Sequence, residues 1–188
     1  LVHGTTLATN AIIEGKGAKT LLLTTNGFRD ALETRDELRY DLHDLFIQFP
    51  TPLVPRRRRI GINERVLFNG KIEKALEQQD IYKALKNQQV MEVESVAICF
   101  LHSYANSENE IHARELIEKN LPNIPISISS EVLPEIGEYA RTSTTVANAY
   151  VQPLINRYLE ALNYELCEQG LSGAFFVMGC LLYTSDAA

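Results

Sequence analysis

The sequence predicts an α/β fold, a mostly parallel sheet with flanking helices and one β-hairpin excursion. Three observations carry this. The runs KTLLLTT (19–25), SVAICFL (95–101) and GAFFVM (173–178) have the length and apolar content of buried strands. Stretches with helical spacing separate them, so strand and helix alternate along the chain. Asn69-Gly70, set between two alternating runs, is the strongest local hairpin signal.

Each element follows from its residues. Thr5 or Thr6 caps a first helix, because a threonine hydroxyl accepts from the free N–H groups of a first turn. Leu7, Ala8, Ala11, Ile12 and Ile13 give that helix its apolar spacing, and Gly15 and Gly17 stop it. The strand 19–25 lies between Gly17 and Asn26-Gly27, and 27–33 starts a short helix. Residues 34–59 hold Pro50, Pro52, Pro55 and the charge-dense DELRYDLHDLF, an irregular excursion with at most one helical turn. Residues 60–76 form the hairpin, and 77–89 a helix with Ile81, Ala84 and Leu85 on one face. After the strand 95–101 come a helix over 108–120 and a short strand over 125–129. Past a loop at Pro134 and Gly137, a long helix runs from about 143 to 169, with Pro153 as a site of bending. The strand 173–178 follows, and the tail GCLLYTSDAA (179–188) breaks the rhythm, as a disordered end or foreign sequence.

Bulk properties exclude several classes. A chain of 188 residues with 45% hydrophobic and 22% charged content is a globular chain rather than a disordered one. A net charge of −6 argues against a nucleic-acid partner. Cys99, Cys167 and Cys180 are widely spaced, in neither a disulfide framework nor a zinc pattern, which fits a reducing, cytoplasmic setting. No apolar run approaches the roughly 18 residues of a membrane span. Ligands in such folds bind beyond the carboxyl ends of strands, so the loops after Val2, Thr25, Leu101, Ser129 and Met178 are the places to search.

Five blocks in order, HGTTLATNAI, LLTTNGFRDALE, PLVPR, CFLHSYAN and SSEVLPEIGEYARTSTTVANAYVQP, resemble the N-terminal region of the hydantoinase A / 5-oxoprolinase family. Acetone carboxylase β-type subunits belong to the same family. The resemblance spans 1–178 as one region and leaves 179–188 as an atypical tail. It implies part of an actin-like ATPase (ribonuclease H-like) fold. It also implies an enzyme that uses ATP and Mg²⁺ to open cyclic amides such as hydantoins or 5-oxoproline, by phosphorylating the amide oxygen. Family proteins are several times longer and carry two phosphate segments that this chain lacks, so the expectation is an inactive fragment of such a hydrolase. Leu1-Val2 then reads as a strand end, with the missing phosphate loop ahead of it. The alternatives are a subunit of an acetone-type carboxylase, or a non-catalytic module that docks a hydantoinase B-type subunit. The partners expected are a small cyclic amide and that subunit, with neither nucleic acid nor membrane.

Candidate site residues fall into groups. His3, Gly4, Thr5 and Thr6 form a strand-to-helix turn whose N–H groups and hydroxyls suit a phosphate or carbonyl oxygen, or merely cap the helix. Asn10, one turn on, orients a substrate amide or bonds the backbone. Arg141, Thr142, Ser143, Thr144 and Thr145 form a second hydroxyl-rich helix mouth, preceded by a cation able to clamp a carboxylate or phosphate, or to pair with Glu138 or Glu135. TTLATNA (5–11) and TTVANA (144–149) are alike, which suggests two helix mouths facing one ligand. Glu131 and Glu135 are weaker candidates for a general base or a water-mediated Mg²⁺ contact. His102 sits at a favoured edge; a metal pair with His112 needs a third ligand, and the family's usual histidine between them is Asn109 here, so a hydrogen-bonded structural role is expected. Cys99, inside an apolar strand, reads as buried and inert. Arg56–Arg58 and Arg59 read as a solvated strand entrance or subunit contact. Arg39 and Asp41 match a family block on the substrate side. No nucleophile and no metal site is assigned.

Overall fold

The computed structural model describes residues 2–36, 43, 46–86, 92–170, 173 and 175–178. Its centre is a four-stranded, wholly parallel sheet in the order β3-β2-β6-β7, built from β2 (Thr20–Thr25), β3 (Arg59–Ile62), β6 (Ser95–Cys99) and β7 (Ile126–Ile128). Alternation along the two central strands sorts side chains into two cores. Leu21, Leu23, Val96, Ile98 and Phe100 face α3 (Gln78–Leu85) and α4 (Glu108–Asn120), where Ile81, Ala84, Ala113, Leu116 and Ile117 meet them. Leu22, Ala97 and Cys99 face α2 (Ala31–Thr34) and α6 (Glu138–Glu168), and pack on Leu32, Val146 and Ala149. The small Ala97 and Cys99 let the long α6 lie close to the sheet. The bulky side chains on the other face, each worth roughly 1.5–3 kcal/mol when fully buried, hold the shorter helices.

A second, two-stranded parallel sheet joins β1 (Val2–Gly4) to β8 (Phe176–Met178), with Gly4 opposite Met178. Its apolar side chains are uncovered: Val2 and Phe176 are each 61% exposed. Between β1 and β2 lies α1 (Leu7–Ile13), packed on α6.

Several boundaries differ from the sequence reading. Residues 60–62 join the main sheet in β3, so the hairpin is only β4 (Arg65–Val66) against β5 (Ile72–Lys74) around Gly70 at φ +79°. An alternating run reads the same whether its partner is the next strand or a distant one. The strand expected over 95–101 leaves the ladder at Cys99, although Phe100 and Leu101 stay buried. A single turn of helix, α5 (Ser129–Val132), follows β7 directly. The long helix begins at Glu138, five residues early. Gly137, at φ +118°, turns the chain into it with no capping side chain, and Pro153 lies inside it. In the expected excursion the described helical piece is the 3₁₀ turn Arg56–Arg58. Residues 87–91, which hold the expected end of α3, and 179–188 lie outside the described residues.

Candidate functional site

The turn at the carboxyl end of β1 is held by local side-chain contacts, with Thr6 as the N-cap residue of α1 but no cap bond from its hydroxyl. The Thr5 hydroxyl accepts from the Leu7 N–H at 3.2 Å, and the Asn10 amide donates to the Thr6 hydroxyl at 3.4 Å. Gly4, Thr6 and Asn10 are exposed. His3 Nε2 lies 2.7 Å from the Tyr158 hydroxyl, and its ring packs against Phe175, which fixes the imidazole on the side of β8. The turn therefore stands at the carboxyl edge of the β1–β8 pair, where α/β folds bind ligands.

In the main sheet β2 leads to β3 on one side while β6 leads to β7 on the other, with α2 and α4 on opposite faces. This arrangement makes the carboxyl ends of β2 and β6 the point where the strand order reverses. Side chains stitch it. The Thr25 hydroxyl accepts from the Leu101 N–H at 2.8 Å and donates to Glu64 Oε1. The other oxygen of Glu64 accepts from the Asn109 amide at 2.8 Å. Burial pushes the Glu64 carboxyl above the usual glutamate range, against the opposing pull of those two donors. Beside it Glu110, fully buried, accepts from the Phe100 N–H, the Ser129 hydroxyl and the Ser130 N–H at 2.8, 2.7 and 2.9 Å. At the rim His102 takes φ +55°, a conformation uncommon outside glycine, and its Nδ1 lies 3.1 Å from the Tyr104 hydroxyl. The hydrogen-bonded role expected of His102 fits this geometry. Asn109, noted only as a missing histidine, instead holds a carboxylate.

The second hydroxyl-rich segment is not a helix mouth. With α6 starting at Glu138, residues 141–145 lie in its first two turns, and all but Thr144 have turned inward or onto their own backbone. The Thr142 hydroxyl donates to Cys99 Sγ at 3.2 Å, Ser143 to the Ala140 carbonyl at 3.1 Å, and Thr145 to the Arg141 carbonyl at 2.7 Å. Such back-bonding is the ordinary fate of Ser and Thr inside a helix. Arg141 is 1% exposed and pairs with neither Glu138 nor Glu135. Its Nη2 donates to the Phe100 carbonyl at the end of β6, its guanidinium lies over the Tyr104 ring, and Nε and Nη1 have no partner. Thr144 is exposed.

The helices that carry the two threonine-rich segments run in opposite directions. Ile12, near the end of α1, shares a hollow with Tyr139, Ser143 and Val146, whereas His3, ahead of α1, touches Tyr158. So α1 runs antiparallel to α6, with His3 toward Tyr158 and Ile12 toward Ser143. Helix direction is something the likeness of the two segments does not encode.

Of the remaining candidates, Glu131 pairs with Arg114 at 2.7 Å, and Glu135 and His112 are exposed. Cys99 is buried and its thiol is pushed up by burial, as expected of an inert cysteine. Arg59 is not a solvated strand entrance: it is 2% exposed, paired with Glu33 at 3.1 Å and bonded to the Val54 carbonyl at 2.9 Å. Arg39 and Asp41 lie outside the described residues. Among the described residues no three His, Cys, Asp or Glu side chains gather as a metal site, and no helix is long and apolar enough to cross a membrane. Open space lies around α2 in adjoining hollows of about 730, 300 and 330 Å³. The first and second share Gly27 and Asp30; the second and third share Arg35 and Tyr139.

Residues 1–121 match the family described as the hydantoinase/oxoprolinase N-terminal region. The chain is 40% identical over 181 residues to an uncharacterised protein of Methanocaldococcus jannaschii, covering 95% of this chain and 27% of that one. It is 38% identical over 164 residues to the caprolactamase subunit alpha of Pseudomonas jessenii, covering 86% and 24%. The crystal structure of the ATP-dependent caprolactamase from that organism superposes with a TM-score of 0.87 at 36% identity, over 94% of this chain and 26% of that one. A nucleotide-free acetone carboxylase structure superposes with a TM-score of 0.81 at 26% identity, over 94% and 27%. The chain thus spans about a quarter of the length of the proteins it matches.

Proposed function

The chain belongs to the hydantoinase/oxoprolinase family, and we propose that it is the amino-terminal quarter of an ATP-dependent enzyme that opens cyclic amides. The observation that carries this reading is the fold it shares, at 36% identity, with an ATP-dependent caprolactamase. In the proposed reaction ATP supplies a phosphoryl group to the amide oxygen, which makes the ring carbonyl an acceptor for water. Here the contribution of this chain is positional. Gly4, Thr5, Thr6 and Asn10 would present N–H groups, hydroxyls and an amide to a phosphate or to the ring, with His3 fixed behind them by Tyr158. Arg141, Ser143 and Thr144 would act on the opposite stretch of α6, Arg141 by holding the end of β6. Glu131, Glu135 and His102 stay secondary, each tied to a neighbour or exposed.

The uncovered apolar side chains of the β1–β8 pair support completion by the other three quarters of such a protein, which would bring the phosphate segments and the Mg²⁺ ligands. On this reading residues 1–178 are one region of a longer cytoplasmic enzyme, and the isolated chain does not turn over substrate. The relative named a subunit supports a second, hydantoinase B-type subunit as partner.

The test is the full-length protein, with its neighbouring subunit, given ATP and caprolactam, 5-oxoproline or hydantoin. ADP release matched by ring-opened amino acid with one of them is the expected result. The acetone carboxylase likeness favours a second reading, ATP-dependent carboxylation of a ketone. ADP release with acetone and bicarbonate, and none with any cyclic amide, would establish that instead. Association with the second subunit but no nucleotide turnover would leave an assembly module.

A further inference from the structure

The largest hollow around α2 lies on the edge strand β3, on the face that carries Arg59 and Gly61, and its walls are arginines. Arg29, Arg56, Arg57 and Arg59 all line it, with the Asn26-Gly27 turn as part of its floor. Four guanidinium groups around one space of about 730 Å³ is a concentrated positive charge in a chain whose net charge is −6.

Two of those charges are already met. Arg56 forks onto Asp30 at 2.8 and 3.0 Å and holds that carboxyl below the usual aspartate range, and Arg59 pairs with Glu33 at 3.1 Å. The other two, Arg29 and Arg57, form no hydrogen bond and no ion pair among the described residues, although Arg29 acts through space on the Asp30 carboxyl. Arg59 is itself only half satisfied. Its side chain is 1% exposed, and Nη1 is buried without a partner. A dehydrated, charged donor left unmet is costly, and it marks a place where an acceptor belongs. The floor keeps that place open. Gly27 takes φ +94°, and Gly61 lies so close to Asn26 that a Cβ there would sit 3.1 Å from its Cα, so bare backbone faces the space.

We infer that this hollow binds a small oxyanion carrying two negative charges, a phosphate or a dicarboxylate. Arg29 and Arg57 supply two guanidinium groups with no bonded partner among the described residues, and Arg59 adds its buried charge to the wall. Guanidinium forks match the paired oxygens of either group. The site stands apart from the β1–α1 turn, and the inference does not depend on the amide-opening reaction: a protein that opens no cyclic amide still binds the anion.

The experiment is calorimetric titration of the full-length protein with inorganic phosphate at low ionic strength, with succinate in a parallel arm. Saturable binding of at least one of them is expected. Arg29→Ala and Arg57→Ala are each expected to weaken it about tenfold, while Lys83→Ala, on α3 across the sheet, leaves it unchanged. Neither arginine side chain has a hydrogen bond or ion pair to lose among the described residues, so both variants should keep the wild-type thermal midpoint, which is measured alongside. Tighter phosphate assigns a phosphate-bearing ligand, and tighter succinate a dicarboxylate. Absence of saturation by both anions, or equal weakening by Lys83→Ala, overturns the site.

Discussion

Glu64 offers the sharpest test of how the carboxyl edge is held. Its two oxygens accept from Thr25 and Asn109, and it is 3% exposed. Glu64→Ala removes both acceptors. The Asn109 amide would then keep only its 3.3 Å bond to the Lys74 carbonyl, and the Thr25 hydroxyl, still accepting from Leu101, would lose its own acceptor. A hydrogen bond to a charged group is worth about 1.5–3 kcal/mol, and relief of carboxylate burial offsets part of the pair. The expected loss is about 3 kcal/mol, or roughly 6–12 °C in Tm for a chain of this size. Glu64→Gln keeps the shape and does not titrate, so it isolates the charge. Burial raises the folded-state pKa above the ordinary value of 4.5, so the folded protein holds this proton more tightly than the unfolded chain. That contribution to stability is complete below the ordinary value and is lost as pH rises through the raised one. Wild type should therefore lose ground to Glu64→Gln between 4.5 and neutrality. Urea denaturation of both across that range is the assay. A constant difference, or an alanine variant within about 1 kcal/mol of wild type, would refute the reasoning.

Other outcomes follow from single contacts. Gly17→Ala would set a Cβ 2.1 Å from the buried Tyr150 ring, so a loss of about 1–3 kcal/mol is expected in chemical denaturation. Ile98→Ala, emptying a fully buried site in the larger core, should cost about 2–5 kcal/mol by the same method. In the native protein a thiol reagent should modify the exposed Cys167 and spare the buried Cys99, which peptide mass spectrometry would read directly. In the full-length enzyme Thr6→Val should lower cyclic-amide turnover about tenfold while leaving Tm unchanged, since the hydroxyl's contact among the described residues is a 3.4 Å bond to Asn10 at the surface.

Much of this fold was legible because its strands are short apolar runs between glycine-bearing turns, and because α3 and α4 carry their apolar residues at helical spacing. The face each residue takes in β2 and β6 follows from the alternation alone. What stayed hidden was pairing and direction. No local pattern tells residues 60–62 that their partner is β2, more than thirty residues back, rather than the strand across Asn69-Gly70.

The site was legible where residue chemistry and local geometry coincide, and misread where a polar side chain had a partner distant in sequence. At the end of β1, Thr5 and Thr6 bond within four residues of themselves, so their contacts could be read locally. Arg141 looked like a surface clamp because its neighbours are hydroxyls and carboxylates, yet its partner is the Phe100 carbonyl. Glu110 left a usable signal: it shares a helical face with Ala113 and Ile117, positions i+3 and i+7, so a carboxylate stood on an apolar stripe. A charge in that position must be met by donors from elsewhere, and three of them, from Phe100, Ser129 and Ser130, meet it. Arg59 obeys the same rule from the opposite sign, on a strand, with Glu33 and the Val54 carbonyl as its partners. The difference is that Arg59 keeps one donor unmet. A fully satisfied buried charge such as Glu110 fastens strands together, whereas a buried charge with a free donor beside open space marks where the molecule still has something to bind.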